Sequence, residues 1–148
     1  MYDRILVPTD GSEAATTATE EAVDLADLND AEVHALYVVE PIPLGGFTAG
    51  AEPASAGWDD VVEEQRAEGA TATASVADLA ADRSVDVVEA IEHGKPNEQI
   101  LGYVDEHAID AIVMGTHGRS GADRLVVGSV TEKVVRKSDV PVLTVRKG

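Results

Sequence analysis

The stretch MGTHGRSGADRLVVGSVTEKVV, residues 114–135, runs from the end of an apolar segment through spaced glycines into a segment with helical periodicity. This order predicts a strand, a glycine-rich loop and a helix. Because glycine has no β-carbon, Gly115, Gly118 and Gly121 would let backbone N–H groups approach a phosphate closely. The first N–H groups of the helix would also favour an anion. The glycines therefore either turn the chain or help to hold a phosphate.

A second interpretation of the same helix start needs no ligand. Ser129 and Glu132 have the spacing of a capping box, in which side chains satisfy the first N–H groups of a helix. The sequence contains neither the GxxxxGK(S/T) phosphate loop nor a GxGxxG motif after its first strand. A conventional phosphate loop or dinucleotide site is therefore unsupported. Capping and phosphate binding both stay open at this point.

Outside this stretch, short apolar runs rich in Val and Ile predict five β-strands. Helical segments separate them, and this alternation predicts an α/β protein with a five-stranded parallel sheet and helices on both faces. Polar residues interrupt the third and fifth runs, which we therefore expect at the sheet edges. The runs cover residues 5–7, 33–39, 85–91, 111–114 and 140–145.

Three segments between these runs carry an apolar helical stripe. Pro96 is well placed at the first position of the helix after the third run. The expected stripes are Ala15, Ala18, Ala22, Leu25 and Ala26; then Ile100, Leu101, Val104 and Ala108; then Val130, Val134 and Val135. Residues 41–57, rich in Gly, Pro and Ala without periodicity, predict a loop that could cover a site. Trp58 either begins the apolar face of a helix or, directly after this loop, covers the mouth of the site.

Length and composition set the class of protein. A chain of 148 residues with 44% hydrophobic content suits one domain, residues 1–148. With no cysteine, the chain has neither disulfides nor thiolate metal sites. The N-terminus lacks a secretory signal pattern and no apolar run is long enough to span a bilayer. We therefore expect a cytoplasmic protein with no membrane partner.

The net charge of −17 is unevenly distributed. Residues 1–114 hold 4 basic and 25 acidic residues, whereas residues 115–148 hold 7 basic and 3 acidic ones. An acidic, lysine-poor surface is typical of proteins from salt-loving organisms, where salt screens the repulsion of an anionic ligand. Since basic residues are concentrated only near the C-terminus, we expect no nucleic-acid partner.

Two motifs together resemble those of the ATP-binding universal stress proteins. Gly115, Gly118 and Gly128-Ser129 reproduce the pattern G-x2-G-x9-G-(S/T), and VPTDGS at residues 7–12 is similar to the opening strand and loop of that family. The resemblance extends over essentially the whole chain. It implies the strand order 3-2-1-4-5, a Rossmann-like sheet, an adenine nucleotide site, and a homodimer that pairs its C-terminal edge strands.

The resemblance also implies the site residues and the cofactor. The cofactor would be ATP, with Mg²⁺ held mainly by the phosphates and no metal site formed by the protein alone. The adenosine end would contact Pro8, Thr9, Asp10 and Val38. Ribose and phosphates would contact two segments: Met114, Gly115, Thr116, His117, Gly118, Arg119, Ser120 and Gly121, and then Gly128, Ser129, Val130 and Thr131.

Several of these residues have plainer alternatives. Asp10 either orients the nucleotide or, like Ser12, caps the first helix. Arg119 either binds phosphate oxygens or is a surface arginine among carboxylates, and His117 either contacts phosphates or is solvated. The remaining histidines, His34, His93 and His107, lack metal-ligand spacing and are expected to be structural or exposed.

The leading functional hypothesis is an ATP-binding, nucleotide-dependent stress-response module. One alternative is a slow ATPase or autophosphorylating enzyme, although the sequence shows no catalytic constellation and the catalytic residues stay unknown. The other alternative is a dimeric interaction module without nucleotide, in which the helix cap and edge strand are purely structural.

Overall fold

A computed structural model describes residues 2–40, 55–116 and 128–146 of the chain. Strands and helices alternate along these residues, as the periodicity predicts. Their bounds are β1 (Arg4–Pro8), α1 (Glu13–Asn29), β2 (Glu32–Val39), α2 (Ser55–Ala81), β3 (Val87–His93), α3 (Pro96–Glu106), β4 (Ala111–Gly115), α4 (Ser129–Lys137) and β5 (Val142–Val145).

The strands form one parallel sheet in the order β3-β2-β1-β4-β5. The predicted fold class and strand order are confirmed, and β3 and β5 are the two edges. The direction in which successive strands are added to the sheet changes between β1 and β4. From β1 the chain continues to β2 and β3 on one side, and from β4 it continues to β5 on the other. Parallel α/β sheets bind ligands at such a switch point, beyond the carboxyl ends of the strands.

Two helices cover each face of the sheet. Side chains alternate between the faces along a strand, so neighbouring residues of one strand pack against different helices. Ile5 and Val7 of β1 pack in one core cluster with the alanine face of α1 and with Val76 of α2. Leu6, between them in sequence, packs in the other cluster with residues of α3 and α4. The sequence pattern thus places helices on both faces.

The small side chains of α1 let that helix pack closely on the sheet. Ala15, Ala18, Ala22 and Ala26 are buried as predicted, and Leu25 is half-buried. Ser12 forms the N-cap, and Asp30 ends the helix in the left-handed conformation at φ 58°. Asp is one of the few residues other than Gly that adopts this conformation readily.

Two residues of the predicted stripes are exposed. Val135 is 50% exposed, because in the short helix α4 the buried positions are Thr131 and Val134. Ala108 lies beyond the end of α3, in a turn with φ 52°, and the buried apolar residue there is Ile109.

Three elements have a boundary that differs by two or more residues from the sequence predictions. The amide of Val85 donates to Ala80 at the end of α2, so β3 starts only at Val87 and extends to His93. Val140 is held in a turn by the Ser138 hydroxyl, so β5 starts at Val142. Helix α2 begins at Ser55, inside the predicted loop 41–57, whose residues 41–54 lie outside the described part of the chain.

Within residues 2–40, 55–116 and 128–146, no helix combines the length and the apolar character that crossing a bilayer needs.

Candidate functional site

Two neighbouring strands end side by side and lead into helices. Leu6 of β1 pairs with Ile112 of β4, which puts the ends of both strands at the same level of the sheet. Strand β1 continues into α1, and α4 begins beyond the end of β4. We name this region the carboxyl-end site; its described residues are Pro8, Thr9, Asp10, Val38, Met114, Gly115, Thr116, Gly128, Ser129, Val130 and Thr131.

The turn from β1 into α1 satisfies its own backbone groups. The amide of Gly11, at φ 80°, donates to the Thr9 hydroxyl oxygen at 3.2 Å. The amide of Ser12 donates to Asp10 Oδ1 at 2.9 Å, and Ser12 Oγ accepts from the amide of Ala15 at 3.2 Å. Ser12 is therefore the cap of α1, and Asp10 supports the turn that precedes it.

Thr9 and Val38 lie where the strand β2 approaches this turn. The amide of Thr9 donates to the carbonyl oxygen of Leu36 at 2.8 Å, which continues the sheet one residue past β1. Thr9 is buried, whereas Pro8, Asp10 and Val38 are half-buried. The residues that the resemblance assigns to the adenosine end thus lie together at the carboxyl ends of β1 and β2.

The start of α4 is fixed to the end of β4 by two hydrogen bonds. The amide of Gly128 donates to the carbonyl oxygen of Thr116 at 2.6 Å. The hydroxyl of Thr131 donates to the carbonyl oxygen of Gly115 at 2.8 Å. The amide of Thr116 in turn donates to Val145 of β5 at 3.0 Å. The chain therefore leaves the sheet at Thr116 and returns to the same point at Gly128.

The capping-box interpretation of this helix start is wrong. Gly128 occupies the N-cap position, and it has no side chain with which to cap. Ser129 is already the first helical residue and is exposed, whereas a capping box requires the serine to precede the helix. The carboxylate of Glu132 forms an ion pair with Arg136 one turn later. Neither side chain of the expected box serves the first turn.

Gly115 has a packing role that the sequence analysis did not anticipate. A β-carbon at this position would lie 3.0 Å from both the β-carbon and the carbonyl oxygen of Ala14 in α1. Such contacts are tighter than normal packing allows. The glycine at the end of β4 therefore lets the first turn of α1 lie directly against the strand.

Five of the predicted site residues lie outside the described part of the chain. They are His117, Gly118, Arg119, Ser120 and Gly121. The contacts that the resemblance assigns to them, and the alternatives weighed for Arg119 and His117, stay predictions. Among the residues that are described, the structure does bring both halves of the predicted site to one edge of the sheet.

The opposite end of the sheet, where the strands begin, holds a polar cluster around His34 that the sequence did not reveal. His34, near the start of β2, is 5% exposed, and its Nδ1 lies 2.7 Å from the hydroxyl of Tyr103 in α3. Its Nε2 lies 3.5 Å from Glu32, which also accepts a hydrogen bond from Arg4 at 3.2 Å. The ring of Tyr103 stacks on His107 with ring centres 3.8 Å apart. We name these five residues the amino-end cluster.

Burial governs the titration of this cluster. Loss of hydration lowers the pKa of His34 below its usual 6.5, although the neighbouring Glu32 carboxylate opposes the shift. Burial likewise raises the pKa of Tyr103 above 10.0, with further contributions from Glu92 and Glu32. The one sequence signal for this cluster is a polar residue at a buried position of an otherwise apolar strand.

A cavity of about 310 Å³ opens near the same end of the sheet and is lined by acidic residues, including Asp27, Asp30, Glu32 and Asp86. Within the residues that the structure describes, no three His, Asp or Glu side chains are grouped in a way that could hold a metal ion.

The fold and the carboxyl-end site define an open parallel α/β protein with a candidate ligand site at its topological switch point. The family model for universal stress proteins matches residues 1–146. The chain belongs to the universal stress protein family.

Comparison with individual proteins agrees with this assignment. The chain is 35% identical to universal stress protein MJ0531 of Methanocaldococcus jannaschii, over 99% of this chain and 84% of that protein. It is similar to the solved structure of MJ0577 from the same organism, with a TM-score of 0.79, 30% identity, and coverage of 100% of this chain and 98% of the other. A universal stress protein solved in complex with cAMP shares the fold at a TM-score of 0.74 and 24% identity, with 99% of each chain covered.

Proposed function

We propose that this protein binds an adenine nucleotide, ATP in particular, at the carboxyl-end site and acts as a nucleotide-dependent module of the stress response. Magnesium would be held mainly by the phosphates. The observation that carries the proposal is the start of α4 at the end of β4, where Gly128 is the N-cap and no side-chain cap is formed within the described part of the chain. A helix start offers backbone N–H groups and a favourable dipole to an anion.

The geometry of the described residues supports this placement. The hydrogen bonds of Gly128 to Thr116 and of Thr131 to Gly115 fix the start of α4 beside the end of β4. A preorganised site loses less conformational entropy when a ligand binds. The phosphates would lie at Ser129 and Val130, and the adenosine would extend toward Thr9, Asp10 and Val38.

Thr131 has a different part in this proposal from that of Ser129. Its hydroxyl proton is already donated to the carbonyl oxygen of Gly115, and its side chain is buried. It therefore holds the helix start in place, while the exposed Ser129 hydroxyl and the first backbone amides would contact phosphate oxygens. Met114, Gly115 and Thr116 would border the ribose, and residues 117–121 would complete the phosphate contacts.

The ligand of the structural relative in complex with cAMP points to the same chemical class. That protein shares only the fold with this chain, so the residues of this chain must carry the assignment to ATP. The 7 basic and 3 acidic residues of the segment 115–148 make it the part of an otherwise acidic molecule that suits a polyphosphate.

The proposal is tested by isothermal titration calorimetry with ATP and Mg²⁺, using a matched pair of variants at Ser129. Ser129→Asn and Ser129→Asp introduce side chains of the same size, but only aspartate adds a charge. A carboxylate in the first turn interacts favourably with the helix dipole, which stabilises the helix by about 0.3–1 kcal/mol, so the substitution should not destabilise the fold. The same carboxylate would repel the phosphates.

We expect Ser129→Asp to weaken ATP binding at least about tenfold relative to Ser129→Asn, a loss of about 1.4 kcal/mol. Equal affinities for both variants would place the phosphates elsewhere. No heat of binding for the unmodified protein at millimolar ATP would contradict the proposal itself, and would favour the nucleotide-free interaction module. Release of inorganic phosphate during the titration would indicate the ATPase alternative.

We also propose that the chain forms a homodimer through β5. This strand is a sheet edge without charged residues, and Leu143 on it is 46% exposed. Unpaired edges of this kind readily pair with another chain. Sedimentation equilibrium should give twice the monomer mass, and Leu143→Lys should shift the protein to the monomer; a monomeric unmodified protein would contradict this part of the proposal.

A further inference from the structure

The amino-end cluster contains a buried histidine whose two ring nitrogens are in unequal surroundings. His34 Nδ1 lies 2.7 Å from the Tyr103 hydroxyl, well within hydrogen-bonding distance. His34 Nε2 is fully buried and has no hydrogen-bond partner among the described residues, and Glu32 Oε1 lies 3.5 Å away. The ring itself is packed edge-on against Tyr103, with centres 5.6 Å apart. The imidazole thus connects strand β2 to helix α3.

The neutral form of His34 fits these contacts in one tautomer. With the proton on Nε2, that N–H group faces the Glu32 carboxylate, and Nδ1 accepts a hydrogen bond from the Tyr103 hydroxyl. Both buried polar groups then have favourable neighbours. The Tyr103 hydroxyl makes no other hydrogen bond within the described residues, so this contact is what satisfies it.

A second proton on His34 would break this arrangement. Both nitrogens of an imidazolium are donors, so Nδ1 could no longer accept from Tyr103. The hydroxyl oxygen could then only accept from Nδ1–H, and the hydroxyl proton would lose its acceptor at a residue that is 3% exposed, where an unsatisfied donor is costly. The imidazolium would also have to be accommodated at a position that is only 5% exposed.

We propose that His34 and Tyr103 form an acid-sensitive clasp, which holds the C-terminal half of α3 on the sheet while His34 is neutral and releases it when His34 gains a proton. The released segment is residues 100–106, which lead to the turn at Ala108 and so to β4. The clasp lies at the amino edge of the sheet, and it does not depend on whether a nucleotide binds at the carboxyl-end site.

Charged groups reach His34 from each element packed around it. Glu32 on the same strand favours the protonated form, whereas Arg4 on β1 and His107, the residue that follows α3, oppose it. The negative charge of Glu92 on β3 contributes to the raised pKa of the Tyr103 hydroxyl. Arg4 also forms an ion pair with the carboxylate of Glu32, which weakens the attraction between that carboxylate and a protonated His34. Burial has the largest effect on the pKa of His34, and the net direction is downward.

The sign of the pH dependence follows from this direction. Well above pH 6.5, His34 is neutral in both the closed and the released state, and the clasp is fully effective. Below pH 6.5, the released state binds a proton that the closed state does not, so release becomes more favourable as the pH falls. The effect stops growing once the pH passes the lowered pKa of the closed state.

The test is amide hydrogen exchange at pH 7.5 and 5.5, at constant salt and corrected for the intrinsic pH dependence of exchange. Exchange of residues 100–106 should increase by up to about tenfold relative to that of α1, the change that one unit below the released-state pKa allows. His34→Gln should remove this increase, since glutamine does not titrate. His93→Gln, at an exposed position of β3, is the matched control and should retain it.

The proposal is overturned if the unmodified protein shows no increase in α3, or if His34→Gln keeps it. A second measurement does not depend on any variant folding: the imidazole resonances of His34 can be titrated by NMR in the unmodified protein. We expect a midpoint below 6.5 and a coincident change in the ring resonances of Tyr103. A midpoint at or above 6.5, or an unchanged Tyr103, would refute the clasp.

Discussion

Helices α1 and α4 both begin at the carboxyl ends of the strands, after the neighbouring strands β1 and β4. The two helix starts differ in how their first backbone groups are satisfied. At α1, Ser12 Oγ accepts a hydrogen bond from the amide of Ala15 in the first turn, and the side chains of Thr9 and Asp10 accept from the two amides just before the helix. At α4, the N-cap is Gly128, which has no side chain. One helix start has a side-chain cap from its own sequence, and among the described residues the other has none.

This difference bears on the proposed ligand site. A carboxylate or phosphate near α1 would compete with Ser12 and Asp10, whereas within residues 2–40, 55–116 and 128–146 no side chain caps the start of α4. The hydrogen bond from Thr131 to Gly115 stabilises the α4 start from the buried side of the helix. The helix can therefore keep its position without a cap at its exposed side.

The largest expected effect comes from Gly115, where the two helix starts meet. Gly115→Ala should destabilise the protein by about 1–3 kcal/mol, because the new methyl group would lie 3.0 Å from the backbone oxygen and β-carbon of Ala14. Gly102→Ala in α3 is the matched control, since a β-carbon there has no neighbour within 4 Å. It should stabilise the protein by roughly 0.5–1 kcal/mol.

Urea unfolding of both variants measures these changes. Equal effects of the two substitutions would mean that α1 and β4 do not approach each other as closely as described, and the comparison between the helix starts would lose its structural basis.

A smaller effect is expected at Thr131, which anchors the uncapped helix. Thr131→Val keeps the shape of a buried side chain but removes its donor to Gly115, so we expect a loss of about 1.5 kcal/mol. Thr131→Ser retains the hydroxyl and should recover part of the loss. If valine and serine destabilise equally in urea unfolding, the hydroxyl does not anchor α4.

The smallest effects compare the two serines directly. Ser12→Ala removes a cap and should cost about 1 kcal/mol. Ser129→Ala removes an exposed hydroxyl at the first helical position and should change the stability by less than about 0.5 kcal/mol. Thermal or urea unfolding distinguishes these outcomes, and equal losses at both positions would show that Ser129 caps α4 after all.

Much of the fold could be predicted, because the apolar runs alternate with helical stripes in a pattern that few architectures satisfy. The strand order required the family resemblance, since periodicity alone does not specify which strands are neighbours. Boundaries were less accurate where side chains form local turns: Ser138 removes Val140 from β5, and this hydrogen bond has no signature in hydrophobic periodicity.

The candidate site could be predicted only in part. Spaced glycines and hydroxyls identify a helix start after a strand, but they do not distinguish a ligand contact from a packing contact. Gly115 illustrates this limit, because its neighbour Ala14 is 101 positions away in sequence and becomes a contact only through the fold. The amino-end cluster was missed for the same reason: His34 and Tyr103 come together only when α3 crosses the sheet.

The two edges of the sheet differ in charge, and this difference bears on how far copies of the chain can associate. Strand β3 carries Glu89, Glu92 and His93, whereas β5 consists of Val142, Leu143, Thr144 and Val145. Charged edges resist pairing with a further strand. If two chains pair through β5 as proposed, the charged β3 edges would not accept a further strand, so the assembly would close at two copies instead of growing into a fibre.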